Sequence, residues 1–324
     1  MKHYKISVAQ PLVTLFIILA GTLHLYGQSD QHYTMFLYNK LLYNPAYAGS
    51  KDIFSGNANY RNQWSGINGA PKTFNISADA PVGSYMRPFR PVAVGGSIAG
   101  ERIGVESNTN VMAYYAYRIP IENTVLSFGL RGGVKMYSAN YSQLNLSQQN
   151  DLSLAQDVRN AMLPNVGAGI YWYGPNYYAS LSVPNLLQNY YDKRQSMNSK
   201  AKEVRGYYAS GGYVFTANEV IKLEPQVLMR YAGNRYYRLP FNCDFNLSAI
   251  FYDRIMGGIT YRTDKSFEFI LHVQATRNIN VGYAYDHLLS ELRGYDRGAH
   301  ELVIGFDLVR DNSKYIIPRI IRAF

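Results

Sequence analysis

The 324-residue sequence has one cysteine, Cys243, so no disulfide can form within the chain and no cysteine metal cluster can assemble. Tryptophan is almost missing as well, with 2 residues against 31 tyrosines. Although 47% of the chain is hydrophobic, no apolar run after the first 25 residues approaches the length of a membrane helix, which needs ~20 residues. Histidine is sparse. Beyond the N-terminal stretch only His32, His272, His287 and His300 remain, and no Gly-x-Ser-x-Gly elbow accompanies them. A hydrolase at a lipid rim needs a Ser or His-assisted nucleophile, so we expect no enzyme. No His or carboxylate cluster has metal-ligand spacing, so we expect no metal and no cofactor. Basic residues outnumber acidic ones, 32 to 22, but they are scattered rather than run together. That pattern does not suit nucleic acid.

The N-terminus has its own character. Met1 to Lys5 carries two lysines, Ile6 to Leu25 is mostly apolar, and Gly27 precedes the polar Gln28-Ser29-Asp30. This is the pattern of a secretory signal peptide over residues 1–27. A single membrane anchor is the competing reading, disfavoured by the polar interruptions at Gln10, Thr14, Thr22 and His24. Removing Lys2 and Lys5 lowers the net charge from +10 to +8. For an exported chain, lipopolysaccharide phosphates or pairing with internal carboxylates account for that charge.

What the remainder has in abundance is period-two alternation. Leu126, Phe128, Leu130, Val134 and Met136 share one face, against Ser127, Gly129, Arg131 and Lys135. Phe267, Phe269, Leu271 and Val273 oppose Glu268, Ile270, His272 and Gln274. A soluble sandwich also alternates, so length must decide. Fourteen candidate strands can be placed at 52–62, 73–82, 92–101, 109–119, 123–137, 165–174, 177–186, 205–217, 220–231, 238–251, 255–263, 266–276, 279–287 and 299–309. Most have nine or more residues, whereas soluble strands run about 5–6 and bilayer-crossing strands ~9–11. Even-numbered connections are mostly short, and the long ones are odd-numbered: 62–72, 138–164, 187–204 and 288–298. Short turns at one rim and long loops at the other are the outer-membrane arrangement. The fold expected is therefore an all-β, antiparallel, up-and-down transmembrane barrel of about 14 strands with both termini periplasmic. Closure is required physically, because an open edge in lipid leaves unpaired N–H and C=O groups at several kcal/mol each.

In such a barrel Arg118, Arg131, Lys135, Lys222, Glu224, Arg230, Asp244, Glu268 and Asp286 point into the lumen. On the lipid face a midplane Arg or Lys costs about 2–4 kcal/mol. Tyrosines near strand ends (114, 115, 117, 171, 173, 236, 237, 283 and 285) suit interfacial girdles. The barrel occupies residues 52–309. Residues 28–51 form an aromatic-rich periplasmic or plug segment, and within it Asn44 to Gly49 has turn chemistry, with Pro45 fixing φ. A helix is expected within 147–163. Residues 310–324 form a periplasmic tail in which Pro318 disfavours a paired strand.

Specific words in the sequence go further. Asn44-Pro45-Ala46-Tyr47-Ala48-Gly49-Ser50 is followed by Tyr60-Arg61-Asn62-Gln63-Trp64 and Gly69-Ala70-Pro71-Lys72-Thr73. Then come Glu101-Arg102-Ile103-Gly104, Tyr115-Ala116-Tyr117-Arg118, Ser182-Val183-Pro184-Asn185-Leu186 and Gly282-Tyr283-Ala284-Tyr285-Asp286. In order and spacing the chain closely resembles the PorP/SprF family of type IX secretion and gliding systems, over nearly all of its mature length. The resemblance implies an outer-membrane barrel of a Gram-negative bacterium that supports secretion and surface anchoring of a large, adhesin-like cargo. The implied partners are the cargo's C-terminal domain and periplasmic components of the system, beside outer-membrane lipid and lipopolysaccharide. Asn62, Gln63, Trp64, Lys72, Glu101 and Arg102 are the expected partner-binding residues, placed in outer loops with Trp64 exposed. The competing functions are a porin-like passive channel or small-molecule uptake barrel and, more remotely, a lipid-acting rim hydrolase.

Overall fold

The computed structural model describes residues 36, 38–83, 89–143, 157–190, 203–233, 241–289 and 297–309. The expected signal peptide and C-terminal tail lie outside them. Among the described residues no helix is long and apolar enough to cross a membrane. They form one closed antiparallel sheet. In chain order the strands are β1 (Ser55–Asn62), β2 (Lys72–Val82), β3 (Val92–Ile103), β4 (Glu106–Ile121), β5 (Thr124–Ala139), β6 (Val158–Tyr173), β7 (Tyr177–Val183), β8 (Arg205–Tyr213), β9 (Phe215–Thr216), β10 (Ile221–Gly233), β11 (Asn242–Phe251), β12 (Ile255–Arg262), β13 (Ser266–Gln274), β14 (Ile279–Leu288) and β15 (Ala299–Asp307). Each pairs with its sequence neighbour except β8 and β9, which both pair with β10, and β15 closes the ring on β1 from Ser55↔Asp307 to Asn62↔His300. β8 and β9 pair with β10 in one continuous register, Gly212↔Gln226 and Phe215↔Leu223. The ladder lapses between them beside Pro225, which has no N–H to give. The barrel thus has the fourteen strands expected.

Burial is inverted relative to a soluble sandwich. On β2, Phe74 and Ile76 are exposed while Asn75, Ser77 and Asp79 are buried. On β11, Phe245 and Leu247 are exposed while Asp244, Asn246 and Ser248 are buried. An apolar exterior around a polar interior is stable only when lipid is the solvent. The turns agree with a tight rim. Tyr252 and Asp253 both take positive φ (52° and 52°) in the link from β11 to β12, the geometry of a type I′ hairpin turn.

The strand boundaries differ from expectation in one place that matters. β6 begins at Val158, not near residue 165, so Val158–Pro164 is strand rather than loop or helix. The expected helix otherwise falls on residues outside those described. Pro164 suggests a loop, yet it is tolerated because β7 pairs with β6 only from Ala168 to Tyr173 and no ladder partner is needed further out. β7 has seven residues, short of the ~9–11 that cross a bilayer. The segment after it takes over: Leu186 N–H donates to Val166 O (2.8 Å), Asn189 Nδ2 to Pro164 O (2.9 Å), and Arg205 Nη2 to Leu186 O (2.7 Å).

Candidate functional site

The described part of the segment before β1 lies inside the barrel. Phe36, Tyr38, Leu41, Tyr43, Ala46, Tyr47 and Ala48 are all buried. Phe36, Tyr38 and Tyr43 pack with Tyr208, Leu228, Ile250, Met256, Ile270 and Val303 on one side of the lumen. Leu41, Ala46, Tyr47 and Ala48 pack with Ala93, Met112, Tyr114, Ala116, Tyr171, Tyr173 and Tyr178 on the other. A four-residue helix, α1 (Lys40–Tyr43), leads into a 3-10 turn at Pro45–Tyr47. Asn44 caps that turn, its Oδ1 accepting from Ala46 N–H (2.9 Å), and Pro45 fills the first position, where no N–H is missed.

The wall is shaped to this plug. Asn44 Nδ2 donates to Ile170 O (2.9 Å) and Leu181 O (3.4 Å), which belong to paired residues of β6 and β7. Ser182 Oγ donates to Tyr43 O (2.6 Å), Ser127 Oγ to Ala46 O (2.7 Å), and Asn57 Nδ2 to Tyr38 O (3.1 Å). Arg131 reaches Leu42 O (2.9 Å), Pro184 O (2.7 Å) and Asn185 Oδ1 (2.6 Å). Arg118, fully buried, holds Gly49 O, Arg90 O and Asp52 Oδ1. Gly49, in a left-handed conformation (φ 72°), gives its N–H to Asp79 Oδ2 at 2.6 Å. Lys51 pairs with Asp307 at 3.1 Å, which also accepts from Ser55 Oγ. Tyr38 stacks on His272 with centroids 4.3 Å apart. Lys40, half-buried by area yet enclosed by the barrel, lies 4.0 Å from the centre of the Tyr178 ring. Burial pulls its amine down to about 8, opposed by Glu224 and reinforced by Lys51.

A second construction lies just inside the long-loop rim. Seven strands each place one buried charge there: Arg61 (β1), Arg230 (β10), Asp244 (β11), Arg262 (β12), Glu268 (β13), Asp286 (β14) and Glu301 (β15). Arg61 pairs with Asp286 (2.9 Å) and Glu301 (3.4 Å), and Arg230 with Asp244 (2.6 Å). Arg262 meets Asp244 (3.2 Å), Asp286 (3.7 Å) and Glu268. Four carboxylates face three guanidiniums. Buried charges of this kind persist only when paired, and removing one partner typically costs about 3–5 kcal/mol.

The charged residues singled out from sequence divide between these constructions. Arg118, Arg131 and Glu224 line the plug. Arg230, Asp244, Glu268 and Asp286 join the belt. Lys135 pairs with Glu203 (3.0 Å) under the loop after β7, and Lys222 pairs with Asp253 at the short-turn rim. Arg61, Asp79, Arg262, Glu301 and Asp307 were missed, although strand parity puts each on a polar face.

The six expected loop residues are placed differently. Asn62 ends β1, Lys72 begins β2, and Glu101 and Arg102 belong to β3. The ladder continues through them, with Asn62↔Lys72 and Lys72↔Arg102 paired. Only Gln63 and Trp64 are in a loop. Trp64 is half-buried rather than exposed, because the loop folds back through Ser65 N–H to Gly298 O (2.9 Å). The tyrosines also need correcting. Tyr114, Tyr171 and Tyr173 point inward and pack around the plug, while Tyr115, Tyr117 and Tyr283 face outward. Tyr236 and Tyr237 lie outside the described residues. Among the described residues no group of His, Cys, Asp or Glu could hold a metal ion.

Comparison with known proteins comes last. Residues 25–306 match the family model described as type IX secretion system membrane protein PorP/SprF. No curated protein matches the chain. Among solved structures, the Acinetobacter baumannii outer membrane protein Omp33 is similar at TM-score 0.45 and 8% identity, covering 80% of this chain and 99% of that one. The Salmonella typhi OmpF complex with daunomycin gives TM-score 0.38 and 9% identity, covering 80% and 98%. Outer membrane phospholipase A from Escherichia coli gives 0.35 and 10%, covering 79% and 90%.

Proposed function

This chain belongs to the PorP/SprF family of type IX secretion system membrane proteins, and from that premise we propose that its barrel is a docking station and not a conduit. It resides in the outer membrane, where its apolar exterior faces lipid. In this reading the barrel binds the C-terminal domain of a large secreted cargo at the long-loop rim, and supports that cargo's secretion and retention at the cell surface. The short-turn rim, where β1 begins and β15 ends, faces the periplasm and the machinery there. No catalytic step is involved.

The observation that carries this reading is the plug. A segment that packs on both sides of the lumen, and that the wall grips through at least six residues, supports a rigid platform over a pore. The long-loop rim offers what docking needs: the charge belt stiffens the mouth beneath the loops. Lys72 and Arg102 sit opposite one another, both exposed, on the lipid side of that rim. Like charges directly opposed are destabilising, and lipopolysaccharide phosphates would relieve them.

The test is affinity capture of a tagged copy from detergent-solubilised outer membranes, with bound proteins identified by mass spectrometry. Recovery of a large secreted protein through its C-terminal domain is the expected result. A clean barrel with no partner, together with steady current in planar bilayers, would transfer the reading to a passive channel.

A further inference from the structure

The lipid-facing surface is not flush all the way round. Over β7 it sinks into a groove of about 830 Å³, within the roughly 300–1,000 Å³ of small-molecule sites. Its origin is local. Beside β7 one outward position on each neighbour is small, Ala168 on β6 and Ala209 on β8, set between large outward residues such as Ile170 and Tyr207. Tyr117 and Leu130 form one bank, Tyr207 and Tyr231 the other. From β4 to β10 its lining crosses five strand spacings, ~24 Å at ~4.8 Å each.

No charged side chain lines the groove. An apolar cavity does not hold water, because it offers no hydrogen-bond partners. The groove opens onto the same exterior that faces hydrocarbon, so its walls continue the lipid interface already established. The ~24 Å span exceeds the ~15 Å depth of one leaflet, half of a ~30 Å hydrocarbon core. A chain entering from one leaflet can lie in it for its whole length, with tyrosine hydroxyls at the banks for its ester or headgroup end. From inside, Asn44 of the plug clamps the Ile170↔Leu181 rung directly behind the groove.

We propose that this groove is a binding site for the acyl chain of a membrane lipid, held as a resident ligand that buttresses the short strand β7 from outside. The site rests on the barrel fold and is independent of the docking role.

The test is native mass spectrometry of the full chain extracted in mild detergent. The wild type retains one phospholipid. The double substitution Ala168→Phe/Ala209→Phe fills the floor and brings retention down to background. Ala58→Phe, lipid-facing on β1, leaves it unchanged. A photo-crosslinker at position 209 in intact cells gives a lipid adduct, and this arm decides the matter if the double variant does not fold. A wild type stripped of lipid, equal retention in the filled variant, or a protein adduct at position 209 would each overturn the proposal.

Discussion

Gly129 and Gly169 hold the plugged state by what they lack. A Cβ on Gly169 would lie 2.1 Å from Asn44 Oδ1, and one on Gly129 would lie 2.1 Å from Ala46 N. Glycine weakens a strand interior, so two on adjacent strands facing one turn have a packing reason. Gly169→Ala is expected to push Asn44 off the wall and break its bonds to Ile170 and Leu181, at a cost of about 1–3 kcal/mol to plug docking. Faster hydrogen exchange at the Ala46 amide, with the barrel ladders unchanged, is the readout; unchanged exchange would mean the plug can re-seat. Lys40 makes docking pH-dependent. Its amine titrates near 8 when docked and near 10.4 when released into water. Between those values the released plug binds more protons, so rising pH favours the docked state. Protease cleavage of the plug should therefore slow from pH 7.5 to pH 10, and Lys40→Met should flatten that slope.

At the scale of the elements, β7 shows how a barrel tolerates a strand too short for its task. The β6 carbonyls beyond it are satisfied by a loop, and Asn189 has three roles: its amide binds Pro164 O, and both that amide and its backbone N–H reach Glu203. Asn189→Ala should leave Pro164 O to solvent and the buried Glu203 one donor short, at about 0.5–1.5 kcal/mol, the net worth of one hydrogen bond. The expected signature is raised exchange at the Leu186 amide and a lower unfolding midpoint, with β11–β15 unaffected; uniform loss of protection would instead make this loop part of the global fold. The strands themselves were legible, because alternation and length survive in sequence. β6 was begun at residue 165 instead of Val158, its outer part counted with the 138–164 loop, although Pro164's position beyond β7 carries no ladder penalty. The plug's place was legible only as one of two alternatives. Residues 36–51 have no period, and only the three-dimensional wall shows that Asn44, Arg118, Arg131 and Ser182, spread over 139 positions, converge on one turn. The tyrosines misled for a related reason: neighbours in sequence alternate between lipid and lumen, so clustering along the chain says nothing of facing.

For the molecule as a whole, the question is what fills a ring of fourteen strands. Eight strands leave an interior that side chains can fill, and 16–18 leave an aqueous channel. Fourteen falls between, and here the plug, packed against wall tyrosines, occupies the space. Deleting residues 28–50 should therefore turn a silent barrel into a conducting one. The belt left at the mouth carries four carboxylates against three arginines. Arg118 and Arg131, which give up their bonds to Gly49 O and Leu42 O, offset that excess, so the opened lumen should discriminate little between cations and anions, even at low salt, where screening is weak. Planar-bilayer recording of both proteins, with reversal potentials under a salt gradient, measures each point. Steady current in the intact protein would show that ions pass around the plug and would restore the channel reading. Silence in the deletion would mean that the inward side chains alone close the ring, and the plug would then owe its contacts to stiffening β6 and β7 against the membrane instead of sealing a pore.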